Sequence, residues 1–149
     1  AVCAAFGVPE PREDDAARAL TCAIAIIDAL GRWNQDRVTS GETGIAVGVG
    51  LNRGPAVLGD IGSEHSMAFA VIGDSVNLAS RLQTATRDLQ TSLLISDSVV
   101  AAVREAAPND ATKLLDELSQ SSEIDVKGRS KATRVWFNLE RFPLPIVKP

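Results

Sequence analysis

The sequence predicts one α+β domain, a mostly antiparallel sheet with flanking helices. Three observations carry that expectation. Short apolar runs alternate with longer stretches of helical periodicity, as strands alternate with helices. Two pairs of strand-like runs are separated only by turn residues, so hairpins interrupt the alternation of a doubly wound parallel sheet. The chain's 149 residues, 45% hydrophobic and 23% charged, suit a single buried core.

The elements follow in order. Ala1 to Phe6 is an apolar run stopped by Gly7 and Pro9, and it reads as a buried strand end. Pro9 to Arg12 is a loop. Asp14 or Asp15 then caps a helix to about Trp33, with Leu20, Ala23 or Ile24, Ile27 and Leu30 on one face. The acids Glu10, Glu13, Asp14 and Asp15 suit capping and helix-dipole complementarity better than a metal site. Thr39 to Gly44 is a polar loop. Ile45 to Leu51 and Ala56 to Ile61 read as a hairpin about the turn Asn52-Arg53-Gly54-Pro55. After a turn at Gly62 to Ser66, Met67 to Ile72 is a short strand ending at Gly73. Asp74 caps a second helix carrying Val76, Leu78, Ala79 and Leu82. Ser92 to Ile95 is a strand, and Ser96 or Asp97 caps a third helix to about Ala107, ended by Pro108-Asn109-Asp110. Lys113 to Ile124 carries no clear pattern. Glu123 to Lys127 and Thr133 to Leu139 read as strands about a Gly128 turn. The domain is expected to occupy residues 1–141, with an extended Pro-rich tail at 142–149.

Composition narrows the function. A net charge of −4 argues against non-specific nucleic-acid binding, which needs a basic face. It leaves room for a small phosphate ligand held by a few local cations. Cys3 and Cys22 form no C-x-x-C pair and read as buried reduced thiols, although one bridge between them stays open. With His65 the only histidine, one chain can build neither a His-based metal cage nor a Ser-His triad. No signal peptide or membrane span is visible, since the longest strongly apolar stretch is Ala23 to Ile27. The chain starts without Met and reads as a piece of something longer. A cytoplasmic location is expected, with tethering through another segment left open.

The sharpest segment is Ala70-Val-Ile-Gly-Asp-Ser-Val-Asn-Leu-Ala-Ser-Arg-Leu82. Asn77 and Arg81, four residues apart, project from one helix face. An amide and a guanidinium placed so can grip a ribose and a phosphate together, because the planar fork of Arg matches phosphate oxygens. The same spacing also suits a solvated helix face, and spacing alone does not choose. In Val126-Lys127-Gly128-Arg129, the Lys before Gly can reach a polyphosphate as a point charge, or belong to an ordinary basic hairpin. Gly48, Gly50, Gly54, Gly59 and Gly62 do not have P-loop spacing and read as turn and close-packing glycines.

Phe6-Gly-Val-Pro9 before an acidic helix start, Gly48-Val-Gly-Leu-Asn-Arg-Gly54, Gly59-Asp-Ile-Gly62, the Val71 to Leu82 string and Val126-Lys-Gly-Arg129 occur in a telling order. In that order and spacing the chain resembles class III adenylate and guanylate cyclase catalytic domains of bacterial type, up to about Leu139. The resemblance implies a ferredoxin-like core and a catalytic site at a homodimer interface. It implies that the ribose 3′-oxygen attacks the α-phosphorus and pyrophosphate leaves, giving a 3′,5′-cyclic nucleotide. Asn77 matches the position that orients the ribose, Arg81 the one that stabilises α-phosphoryl charge, and Lys127 the one that holds the terminal phosphates. Ala70, Val71 and Ile72 match the stretch that meets the purine.

Two departures shape the expectations. The resemblance places the aspartates that hold two divalent ions, Mg²⁺ or Mn²⁺, upstream of Ala1, together with a base-reading lysine. The chain is therefore expected to lack the first strands of its domain and to be inactive alone, with no metal ligand of its own. Asp60 and Asp74 are read as structural, and His65 as an exposed turn residue. Ala70 stands where relatives place a polar side chain against the base and offers no polar atom. ATP is the expected substrate, with GTP as the alternative. A degenerate dimerisation or nucleotide-sensing module is the other reading, and a regulatory or sensor domain elsewhere in the full protein is expected.

Overall fold

The structure is a computed structural model that describes residues 2–63, 66–106, 110–125 and 132–143. In chain order it contains helix α1 (Asp15–Thr39), strands β1 (Val49–Leu51), β2 (Val57–Ser63) and β3 (Ser66–Ile72), helix α2 (Asp74–Ala85), strand β4 (Leu93–Ser96), helices α3 (Asp97–Ala106) and α4 (Asp110–Asp116), and strands β5 (Gln120–Ile124) and β6 (Thr133–Phe137). Four strands form a sheet in the order β1-β4-β6-β5, and β2 and β3 form a separate two-stranded ribbon. Of the pairings, only β1 with β4 is parallel. The α+β fold with a mostly antiparallel sheet is thus the one expected.

β4 is the centre of the molecule. Its run Leu93-Leu94-Ile95 is fully buried, as a strand covered on both faces must be. Successive side chains point to opposite faces. Leu93 and Ile95 join Leu20, Ala23 and Ile24 of α1 and Val99, Val100 and Val103 of α3 on one side. Leu94 joins Leu78 and Leu82 of α2, with Val135 and Phe137 of β6, on the other. The sheet is therefore held between α1 and α3 on one face and α2 on the opposite face.

Several elements differ from the sequence reading. β1 does not form a hairpin with β2; it lies parallel to β4, with Val49 opposite Leu93. Gly48 and Gly50 explain why, since they let β1 lie directly under α2. A Cβ on Gly50 would come within 2.3 Å of the Ala79 carbonyl oxygen and 2.4 Å of the Gln83 nitrogen. The intervening residues do not turn back. Asn52 Nδ2 donates to the Ser75 carbonyl at 3.0 Å, Ser75 Oγ to the Pro55 carbonyl at 2.6 Å, and Ser98 Oγ to the Arg53 carbonyl at 2.9 Å. These bonds clamp residues 52–55 between the starts of α2 and α3. The hairpin is instead β2 with β3, from Val57 opposite Ile72 to Ser63 opposite Ser66.

Residues 2–6 form no strand, and Val2 is 98% exposed, because this apolar segment meets no sheet edge among the described residues. α1 runs past Trp33 to Thr39 because nothing stops it before Gly41, whose φ of 78° closes the helix end. The Asp14 side chain makes no cap bond; Asp15 Oδ2 accepts the Arg12 amide at 2.7 Å instead. Gly73 holds the N-cap position of α2, which moves Asp74 into the first turn. The patternless stretch Lys113 to Ile124 contains the end of α4 and all of β5, which begins three residues before the strand expected from Glu123 and pairs antiparallel with β6. Phe142, read as tail, is fully buried, and its carbonyl accepts the Ser92 amide at 2.7 Å. Cys3 is exposed and Cys22 half-buried, both free, where burial was expected of each.

Candidate nucleotide site

α2 carries the two residues singled out by spacing. Its inner face is fixed by Leu78 and Leu82, 4% and 0% exposed, so its outer face has only one orientation open to it. Asp74, Asn77, Ser80, Arg81 and Thr84 all stand exposed on that outer face. The start of α2 is held by Ser75 on Pro55, and by the amides of Val76 and Asn77 on the Gly73 carbonyl, 3.1 Å each. Asn77 and Arg81 therefore project together from a rigid helix, one turn apart. Among the described residues neither side chain has a hydrogen-bond or ion-pair partner. Such an amide and guanidinium pair is available to an anionic ligand without first breaking a contact to the described residues.

Beside this helix lies a recess of about 410 Å³, lined by Cys3, Ala5, Val8, Leu58, Val71 and Val76. That is the size range of small-ligand sites. Leu58 and Val71 are cross-strand partners, so they share one face of the β2–β3 ribbon. Val76 immediately precedes Asn77, which puts the recess at the same end of α2 as the Asn77 amide. Ala70 pairs with Gly59 and Ile72 with Val57. By strand alternation these four residues occupy the opposite face. That face is open: Val57 is 73% and Ile72 53% exposed. The structure thus divides the predicted purine stretch, placing Val71 at the recess and the Ala70 and Ile72 side chains on the far side of the ribbon.

Lys127 and His65 lie outside the described residues. Asp60 sits on β2 opposite Phe69, and Asp74 in the first turn of α2 complements the helix dipole. No group of three His, Cys, Asp or Glu able to hold a metal ion occurs among the described residues. The residues that sequence reasoning missed are Cys3, Ala5, Val8, Leu58 and Val76. Nothing in their spacing could unite them, because the N-terminal arm reaches the ribbon only through tertiary packing.

A second recess, about 390 Å³, lies between α1, Ser92 and residues 141–143. Its rim is engaged in a clasp. The Arg141 guanidinium donates to both Asp28 oxygens at 2.9 Å and to Glu117 Oε2 at 3.1 Å. The hydrogen bonds from Arg141 hold the Asp28 carboxyl below its ordinary range, and the same bonds raise Arg141. This clasp ties α1 to the segment that follows β6.

The α2 pair and the recess fall inside a match that spans residues 1–139, to the family described as adenylate and guanylate cyclase catalytic domain. The chain belongs to that family. An adenylate cyclase of Anabaena cylindrica is 34% identical over 79% of this chain and 23% of its own length. Adenylate cyclase 1 of Rhizobium meliloti is 33% identical over 70% of this chain and 16% of its own length. Among solved structures, the guanylyl cyclase Cya2 superposes with a TM-score of 0.70 at 29% identity, covering 89% of this chain and 61% of that one. The chain thus spans less than a quarter of these curated relatives. No helix among the described residues is long and apolar enough to cross a membrane.

Proposed function

We propose that this cyclase-family domain converts ATP to 3′,5′-cyclic AMP and pyrophosphate at an interface between two copies of the chain, in intracellular signalling. The observation that carries this reading is the exposed Asn77–Arg81 pair on a fixed helix, opening beside a ligand-sized recess. Arg81 supplies fixed positive charge where the α-phosphoryl group gathers negative charge in the transition state, and Asn77 orients the ribose. Lys127 holds the terminal phosphates by the family pattern. The backbone of Ala70, Val71 and Ile72 borders the purine. Relatives named adenylate cyclase support ATP over GTP.

A second copy is the partner that suits the open ribbon face. A two-stranded ribbon is marginal on its own. Here Val57 and Ile72 leave its outer face apolar and uncovered, one turn of chain from Asn77. The resemblance brings two divalent ions, Mg²⁺ or Mn²⁺, to such a site. No group of three His, Cys, Asp or Glu among the described residues could hold them; by the resemblance their ligands lie upstream, and the roles above are those of this chain's own side chains. One observation favours a second reading, a nucleotide-sensing or dimerisation module: Ala70 offers the base no polar atom. The domain is taken as residues 1–141 together with Phe142, which is buried in the core.

Turnover of ATP and GTP with Mg²⁺ or Mn²⁺ tests the reading. The chain alone should form no cyclic nucleotide, and a chain extended upstream should. Robust turnover by the chain alone would show that the metal account is wrong. No turnover by any extended chain, with nucleotide binding intact, would establish the sensing module.

A further inference from the structure

We propose that Asn52 is a positioning residue for the reaction: it fixes the first turn of α2 and, through that turn, the direction of the Asn77 amide. This rests on the cyclase reading above and deepens it. A helix start leaves its first amides without partners inside the helix, and a side-chain cap ordinarily takes one of them. Among the described residues α2 has no such cap, because a glycine, Gly73, holds the N-cap position. The Val76 and Asn77 amides share the Gly73 carbonyl, at 3.1 Å each. The buried anchors of α2, Leu78 and Leu82, come only after this turn. Arg81 therefore stands between two anchors, whereas Asn77 stands ahead of the first, in the part of the helix most prone to fray.

What steadies that turn comes from outside the helix. Asn52 Nδ2 donates to the Ser75 carbonyl at 3.0 Å, and Ser75 Oγ donates to the Pro55 carbonyl at 2.6 Å. The two segments are in close contact. A Cβ on Gly54 would stand 2.9 Å from Ser75 Cβ, and one on Gly73 would stand 3.0 Å from the Pro55 carbonyl oxygen. Asn52 is itself anchored, since it follows β1 directly. The one hydroxyl proton of Ser98, in the first turn of α3, serves either the Arg53 carbonyl at 2.9 Å or Asn52 Oδ1 at 3.3 Å. Ser98 Oγ also lies 2.9 Å from Oγ of Ser96, which is buried at the end of β4. The half-buried Asn52 amide thus ties the turn that carries Asn77 to the central sheet. An Asp at this position has the same shape, but it has no N–H to donate and sets a carboxylate against the Ser75 carbonyl.

The test compares Asn52→Asp with its parent. Asn52→Ser, uncharged and one bond too short for the contact, takes its place if the carboxylate prevents folding. In the 149-residue chain, hydrogen exchange of the Val76 and Asn77 amides should quicken by about tenfold, while the Leu82 amide exchanges as in the parent. In the upstream-extended chain, kcat for ATP should fall by about tenfold and KM should change by less than about twofold, as for lost orientation rather than lost binding. Double variants give the reading that a merely structural role would not move. Added to Asn77→Ala, the Asn52 substitution should cost no further kcat; added to Arg81→Ala, it should cost its full loss of about tenfold. Equal further losses in the two backgrounds overturn the action through Asn77. Parental exchange at Val76 and Asn77, or a parental kcat, overturns the inference and leaves the cyclase reading standing. An upstream-extended parent that turns over neither ATP nor GTP overturns the cyclase reading, and this inference with it.

Discussion

β4 and the β2–β3 ribbon are both built from short apolar runs, yet the molecule uses them in opposite ways. β4 is covered on both faces, by α1 and α3 on one side and by α2 on the other. Among the described residues the ribbon joins no other strand; it lines a recess with one face and leaves Val57 and Ile72 open on the other. Apolar residues in the first region stabilise the fold. In the second they remain unsatisfied, which marks a surface made for something else. The Asn77–Arg81 face adjoins the second region but is held in place by the first, through Leu78 and Leu82. The buried core thus fixes the helix face that carries Asn77 and Arg81.

Two glycines give the sharpest way to break that comparison. Gly50 lies under α2 in the covered region, where a Cβ would meet backbone atoms at 2.3 and 2.4 Å. Neither contact can yield without moving α2, so Gly50→Ala should cost about 3 kcal/mol of stability. Gly59 lies in the ribbon, and a Cβ added there would meet nothing within 4 Å. Gly59→Ala should leave stability within about 0.5 kcal/mol of the parent. Urea unfolding of both variants checks this. Equal losses would show that the two regions are packed alike.

Arg81→Ala should separate function from fold. In an upstream-extended chain that turns over ATP, kcat should fall by roughly 10²-fold with little change in KM, as for a contact made mainly in the transition state. The melting temperature should not move, because Arg81 has no internal partner among the described residues. Lys127→Ala should instead raise KM. A near-parental kcat for Arg81→Ala would return this helix face to ordinary solvated surface.

Much of this organisation was legible in the sequence, for physical reasons that differ by residue. The buried strand Leu93-Leu94-Ile95 and the helical spacing of Asn77 and Arg81 are local patterns, and local geometry alone decides them. The partner of β1 was not legible. Gly48 and Gly50 read equally as turn-flanking and as close-packing glycines until α2 is seen to lie on them. The recess was hidden as well. Leu58 and Val71 meet through strand register, and Cys3 reaches them through tertiary packing, which no spacing encodes. Phe142 reads as tail because Pro143 and Pro145 follow it, yet its ring fills the core.

The clasp on α1 belongs to the covered region and gives a smaller, pH-dependent effect. Arg141 depresses the pKa of Asp28 below the ordinary value of 3.8. A carboxylate depressed on folding contributes its full stability above its unfolded pKa and loses it as pH falls through the folded value. The clasp should therefore be intact at neutral pH and fade below about pH 4. Because Arg141 and Asp28 are 38% and 35% exposed, solvent screening limits the contribution to about 1 kcal/mol or less. Asp28→Asn should lower the urea midpoint at pH 7, and the difference from the parent should shrink at pH 3. A difference that persists unchanged at pH 3 would mean that shape rather than charge holds the clasp.

The smallest expected effect sits on the open face of the ribbon, and it decides which face meets the base. Ala70 pairs with Gly59, and the space beside Gly59 is empty, so a threonine at position 70 fits without strain. β-branching also suits a strand. Ala70→Thr should therefore fold as the parent does. Its hydroxyl would lie on the same face as Val57 and Ile72, away from Leu58 and Val71. If the base occupies the recess, that hydroxyl does not reach it, and the ATP to GTP ratio of kcat/KM should change by less than about twofold, well below the value of one hydrogen bond. A shift of about fivefold toward ATP would carry the opposite meaning. The base would then lie on the Val57–Ala70 face, the face proposed to meet the second copy, and position 70 would read its edge. Measuring both nucleotides under the same metal, in the parent and in Ala70→Thr, assigns the purine to one face of the ribbon or the other.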